Sequence, residues 1–159
     1  MTSPAIWTPK PIGPRLPGWE NKALAVLNQH MAEPLTWGVS DCLSVPADLC
    51  FAMTGVSILP RHLRRYRTEA GAWRLLVRAG FSDVEEALNA AFPRLEGVAM
   101  ARRFDAGVVE RKDPSGRTVL ATVIITNGAQ AVGRDAEGPV LVSQLSLRAA
   151  FAIGARAQR

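Results

Sequence analysis

Cys42 is the residue of this 159-residue chain best placed to do chemistry. It closes the run Trp37-Gly38-Val39-Ser40-Asp41-Cys42, in which Asp41 is a candidate N-cap for a helix running to about Met53 and ended by Gly55. A cysteine in the first turn of a helix faces backbone N–H groups that lack intrahelical partners, and the positive end of the helix dipole. Both favour thiolate over thiol, so the spacing predicts a lowered pKa and a nucleophile, provided an imidazole can reach it. The alternative is a small buried side chain, where free cysteines usually end up. The sequence holds two imidazoles, His30 and His62. His30 falls at the end of a first helix, where its expected role is interaction with the C-terminal dipole. His62 falls in a basic loop after the cysteine helix and is the candidate substitute base, since loops fold back over helix ends. Cys50 stands about two helical turns beyond Cys42, roughly 12 Å away and past the ~7 Å Cα reach of a disulfide, so it is expected to pack.

A second cluster is electrostatic. Arg61, Arg64, Arg65 and Arg67, with His62 and Tyr66, make a dense positive stretch. It is either a solvated face or a docking surface for an acidic protein or an anionic wall polymer. Asp48, in the middle of the cysteine helix, is placed to pair with an arginine of this loop and pin it. The isoelectric point near 10 permits nucleic acid, but no nucleic-acid-binding motif is present, so that partner is not expected. Trp37 is expected in the core or a cleft wall. Trp73, with Leu76 and Val77 at neighbouring helical positions, is expected in the core. Two cysteines and two histidines exclude a disulfide scaffold and a four-thiolate zinc site. Neither a metal nor a cofactor is expected.

These side chains need a scaffold. A net charge of +5, 48% apolar and 21% charged residues describe an ordinary globular domain, able to bury roughly two thirds of its unfolded surface. No apolar run approaches the ~20 residues of a membrane span, and the N-terminus lacks the apolar segment and cleavage site of a secretory signal. Five prolines in residues 1–18 predict an extended arm, with Trp7 as a docking anchor. Apolar spacing predicts a helix over 19–32, stopped by Pro34. Pro46 predicts a kink in the cysteine helix. A third helix runs from Thr68 to Gly80. A fourth, opened by a Ser82/Glu85 capping box, ends near Phe92-Pro93. The period then changes. Val108-Val109 reads as a short strand, Lys112–Gly116 as a turn, and Val119–Thr126 as a central strand buried on both faces. Asn127-Gly128 reads as a hairpin turn into Gln130–Gly133, and Pro139–Val142 as another strand. A short amphipathic tail and a basic terminus, 154–159, follow. Helices first and strands second predict an α+β domain over 19–153 with an antiparallel sheet.

The motifs Trp37-Gly38-Val39-Ser40-Asp41-Cys42, Ala47-Asp48, Ala52-Met53-Thr54-Gly55, Tyr66-Arg67-Thr68 and Ala70-Gly71-Ala72 together resemble the phage, prophage and gene-transfer-particle branch of the NlpC-type cell-wall cysteine peptidases, within the papain-like superfamily. The resemblance implies a nucleophile helix packed on a small antiparallel sheet. It implies that Cys42 is the nucleophile aimed at amide carbonyls of peptidoglycan stem peptides, with a His on the second core strand as base and a further polar residue orienting that His. In this sequence Thr122 or Ala121 stands where that His would be. The family's Gly-Asp turn before the first strand reads Asp105-Ala106-Gly107. Neither Thr nor Ala takes a proton from a thiol near neutral pH. The expectation is therefore a peptidase fold without its catalysis, acting as a structural or interaction protein of a phage-type tail tip, in the virion or assembled in the host cytoplasm. Its expected partners are other tail-tip or baseplate proteins, with peptidoglycan as a further one. Its candidate binding residues are Trp7, Trp37, Asp41, Arg61, Arg64, Arg65, Tyr66 and Arg67. The alternative implied is an active amidase or endopeptidase that opens peptidoglycan during DNA entry.

Overall fold

In a computed structural model, residues 12–127, 129–135 and 137–154 are described. The fold is α+β. Four helices come first: α1 (Trp19–Ala32), α2 (Ser44–Thr54), α3 (Glu69–Arg78) and α4 (Val84–Ala91), with a 3-10 turn at Arg61–Leu63. Five strands follow: β1 (Ala106–Lys112), β2 (Thr118–Asn127), β3 (Gln130–Asp135), β4 (Gly138–Ser143) and β5 (Ala149–Phe151). They form one sheet in the order β4-β3-β2-β1-β5, with every neighbouring pair antiparallel.

The helices bury one side of the sheet. Leu43, Leu49, Met53, Leu76 and Leu88 meet Phe104, Ile124 and Phe151 in the main core, each fully buried side chain contributing about 1.5–3 kcal/mol. Val123 and Ile125 face a second, smaller cluster with Ala131 and Leu147. β2 is therefore covered on both faces, as its unbroken apolar run predicts. The Gly128 half of the Asn127-Gly128 turn lies outside the described residues.

Some boundaries differ from the sequence reading. α2 starts later than Asp41, so Pro46 falls in its first turn, where no intrahelical N–H bond is lost. The cap of α4 is Asp83, which accepts the Glu86 N–H at 2.9 Å, while the Glu86 carboxylate accepts the Ser82 N–H at 2.8 Å. The capping box is thus one residue later than the Ser82/Glu85 pair. Part of the expected amphipathic tail is β5, which pairs with β1.

The described end of the proline-rich arm packs on the domain. Arg15 donates to the Ile153 carbonyl at 2.9 Å, to the Arg103 carbonyl at 2.9 Å and to Asp105 at 2.8 Å, and its guanidinium lies over the Trp19 ring. The Leu16 N–H donates to the Met53 carbonyl at the end of α2. Trp7 lies outside the described residues, as does the terminus from 155 onward. Among the described residues no helix is long and apolar enough to cross a membrane.

Candidate functional site

The turn before α2 is built around Asp41. Its carboxylate accepts the Leu43 and Ser44 N–H groups at 2.8 and 2.9 Å, the Gly38 N–H at 2.7 Å and the Tyr66 hydroxyl at 3.2 Å. Ser44 Oγ reciprocates by accepting the Asp41 N–H at 2.8 Å, so Asp41 caps the turn that leads into α2, two residues before Leu43, the helix's own N-cap position. Gly38 is required here. Its φ is +90°, and a Cβ would stand 2.4 Å from the Tyr66 carbonyl oxygen. The Trp37-Gly38 turn is thereby pressed against the 61–67 loop, while Trp37 packs edge-on against Trp73.

Cys42 follows this cap, half-buried, and its electrostatics reverse the sequence expectation. Burial, then the adjacent Asp41 carboxylate, push its thiol up to about 12, against smaller opposing contributions from Arg111 and the backbone. The N–H groups that would have stabilised a thiolate are spent on Asp41, and a negative charge stands beside the sulfur. Cys42 is a neutral thiol at physiological pH. Cys50 is fully buried with its sulfur 3.5 Å from Thr54 Oγ1, a packing role as expected. Both cysteines are free.

Cys42 opens onto a cleft of about 30 Å³ whose wall includes Asp41, Thr122, Ile124, Val132 and Arg134. The structure thus brings Thr122 to Cys42. The β2–β3 ladder pairs Ile124 with Val132, and two residues further along each strand, on the same face, stand Thr122 and Arg134. Neither histidine lines this cleft. His62 is exposed on the 3-10 turn, and no observation joins it to Cys42 as a base.

His30 is not simply a helix-end residue. It is buried, with Nδ1 2.6 Å from Ser40 Oγ and Nε2 2.8 Å from an Asp48 oxygen. Asp48 also receives Arg64 at 2.8 Å, which pins the basic loop as the sequence suggests. Although burial raises the Asp48 carboxyl, the His30 hydrogen bond and the Arg64 charge hold it below its ordinary value. Arg134 completes this network from β3. It donates to the His30 and Glu33 carbonyls at the end of α1 and to Ser40 Oγ, capping α1 with a side chain from the sheet. Ser40 Oγ thus lies between the Arg134 guanidinium and His30 Nδ1, with Asp48 at Nε2. Both nitrogens of His30 are then engaged.

On the other side of α2 from the Cys42 cleft, His30 and Asp48 form part of the wall of a groove of about 430 Å³ with Arg61, Arg64, Arg67 and the exposed Phe51 and Val39. Arg67 donates to the Arg64 and Tyr66 carbonyls. Neither Arg61 nor Arg67 pairs with a carboxylate among the described residues. Arg65 is exposed and does not line the groove. Tyr66, raised by burial and by Asp41, remains a neutral donor. Sequence reasoning missed Arg134, Ser40 and Arg111. The spacing of Thr122 and Arg134 about the Asn127-Gly128 turn was the signal available for the first. Among the described residues, no group of three His, Cys, Asp or Glu side chains is placed to hold a metal ion.

The family model Domain of unknown function (DUF6950) matches residues 14–153. Comparisons with curated proteins and with solved structures found no match.

Proposed function

The chain belongs to the DUF6950 family, and we propose that it is a catalytically silent relative of the NlpC-type cysteine peptidases, serving as a structural and interaction protein of a phage-type tail tip. The observation that carries the loss of catalysis is the wall facing Cys42, where a threonine and an arginine stand in place of an imidazole. A thiol raised to about 12, with no imidazole beside it among the described residues and an Asp41 carboxylate already committed to four donors, lacks the acid–base assistance of a cysteine peptidase. The two imidazoles are elsewhere, one locked between Ser40 and Asp48, the other exposed.

Binding is supported by the arginine-lined groove. Arg61 and Arg67 offer guanidinium groups without carboxylate partners among the described residues, next to the exposed apolar surface of Phe51 and Val39. That combination suits an acidic segment of a neighbouring tail-tip or baseplate protein carrying an apolar side chain. Peptidoglycan is the second ligand this reading allows.

The test pairs labelling with turnover. At pH 8, iodoacetamide should alkylate Cys42 about two to three orders of magnitude more slowly than a free thiol, following its low thiolate fraction. Purified full-length protein should release no soluble fragments from peptidoglycan sacculi. Rapid alkylation, with fragment release that Cys42→Ser abolishes, would establish the active-hydrolase reading instead.

A further inference from the structure

An edge strand presents a row of unpaired backbone N–H and C=O groups, which proteins usually cover, charge or bend away. One edge of this sheet is covered. Beside β5, Arg94 bridges Phe151, the Leu95 N–H donates to the Ala150 carbonyl at 2.9 Å, and the Ala152 N–H donates to the Pro93 carbonyl at 2.9 Å. At the other edge, β4 has no strand beyond it among the described residues. Its sequence, Gly138-Pro139-Val140-Leu141-Val142-Ser143, carries no charge. Leu141 is 61% exposed, and Val140 beside it is exposed as well.

The alternation of hydrogen bonds along β4 determines what this edge offers. In an antiparallel pair, every second residue turns both of its backbone groups toward the neighbouring strand. The Gln144 N–H donates to the Ala129 carbonyl, in step with a register that pairs Ser143 with Gln130 and Val142 with Ala131. Gln144, Val142 and Val140 therefore turn toward β3, whereas Ser143, Leu141 and Pro139 turn outward. Proline fits the outward set, because it has no N–H to give to β3. The edge thus presents the Leu141 N–H and C=O, the Ser143 N–H and the Pro139 C=O. The Ser143 carbonyl also lies on this side, but it already accepts Ser146 Oγ at 2.7 Å.

We infer that two copies of this chain join through antiparallel pairing of β4 with β4, about a twofold axis at Leu141. Leu141 then exchanges two hydrogen bonds with the partner's Leu141. Each Ser143 N–H donates to the partner's Pro139 carbonyl. The donor that proline lacks falls opposite the acceptor that Ser146 has already taken, so the strand is complementary to itself. Val140 stands opposite the partner's Val142, an apolar cross-strand pair, and no like charges meet within the strand. The contact is isologous, and it closes at two copies because the β5 edge is covered. It is independent of the state of Cys42.

Sedimentation and residue-resolved hydrogen exchange of the full-length protein over a dilution series test the inference. A dimer should form, and the Leu141 and Ser143 amides should be protected only at concentrations where it does. The Val140 and Val142 amides, which face β3, should be protected throughout. Leu141→Lys sets two ammonium groups across the axis and should raise the dimer dissociation constant about tenfold, with the circular dichroism unchanged because the side chain is exposed. Ser143→Pro suits a backbone whose φ is −68° and removes the outward N–H, so it should weaken the dimer about tenfold. Ser143→Ala, which keeps that N–H, should not. A chain that stays monomeric up to about 1 mM overturns the inference and leaves the edge to a strand of another protein. A dimer indifferent to Leu141→Lys, or equally stable dimers of Ser143→Pro and Ser143→Ala, would overturn it as well.

Discussion

The two sides of helix α2 treat their polar groups in opposite ways. Facing α1 and the basic loop, His30, Ser40, Asp48 and Arg64 form a chain in which both imidazole nitrogens, the serine hydroxyl and both carboxylate oxygens are engaged. Facing the sheet, beside Cys42, Thr122 Oγ1 and Arg134 Nε are buried and unmatched. A network that satisfies itself has no need of a ligand and is explained by stability. One that leaves polar atoms unmatched carries their desolvation cost. Arg134 belongs to both sides: its terminal nitrogens serve the first and its Nε serves the second. The imidazole in this protein therefore belongs to the self-satisfied side, apart from the sulfur, whereas a cysteine hydrolase places the two together.

The sharpest way to break this contrast is to remove Asp48. Asp48→Ala leaves His30 Nε2 and the Arg64 guanidinium unpaired in half-buried surroundings, and should cost about 3 kcal/mol in denaturant unfolding. The contribution is pH-dependent with a fixed sign. Because the folded carboxyl is held below its ordinary value of 3.8, its stabilisation is fully present above that value and is lost as pH falls through the folded pKa. The part of the difference between wild type and Asp48→Ala that belongs to the carboxyl should be present at neutral pH and shrink in acid, as pH falls below 3.8. A variant as stable as wild type at pH 7 would remove the structural reading of this side.

A smaller effect is expected at the residue shared by the two sides. Arg134→Lys keeps the charge but cannot reach the His30 carbonyl, the Glu33 carbonyl and Ser40 Oγ together, because an ammonium lacks the guanidinium fork. It should cost about 2 kcal/mol, and hydrogen exchange should quicken chiefly in the last turn of α1, where the cap is lost. Uniform acceleration over the whole chain would place Arg134 outside the capping role.

The contrast was half legible in the sequence. Local rules located the helices and the β2 strand, because apolar spacing and burial on both faces leave periodic signals. They located the Asp41 cap and the pairing of Asp48 with the basic loop, both within reach of one helix and its next connection. They failed where the partner is remote or the competition is local. Arg134 is 104 residues from His30, and no spacing rule connects a hairpin arginine with a helix end. The thiol shift came out with the wrong sign because Asp41 accepts the N–H groups of the helix start that a thiolate would have used. The strand β5, Ala149–Phe151, is too short to show a period. The capping box of α4 was displaced by one position because Ser82, Asp83, Glu85 and Glu86 offer overlapping choices, which only the backbone resolves.

The smallest expected effect bears most directly on the side of Cys42. Thr122→Val replaces a buried hydroxyl that has no partner by a methyl of similar size, so no intramolecular hydrogen bond is lost. Without ligand the change should be neutral or stabilising by up to about 1 kcal/mol, since the desolvation cost of an unmatched hydroxyl disappears. The same substitution at an engaged hydroxyl, Ser40→Ala, strands Arg134 and His30 and should destabilise. The sign of the difference is the informative quantity. If Thr122→Val destabilises by more than about 1 kcal/mol in ligand-free protein, the hydroxyl is already satisfied by ordered water. The cleft beside Cys42 would then be a hydrated structural cavity, on the same footing as the His30 side. If the variant is neutral or stabilising, the hydroxyl is unmatched in the folded protein, and the asymmetry between the two sides of α2 holds.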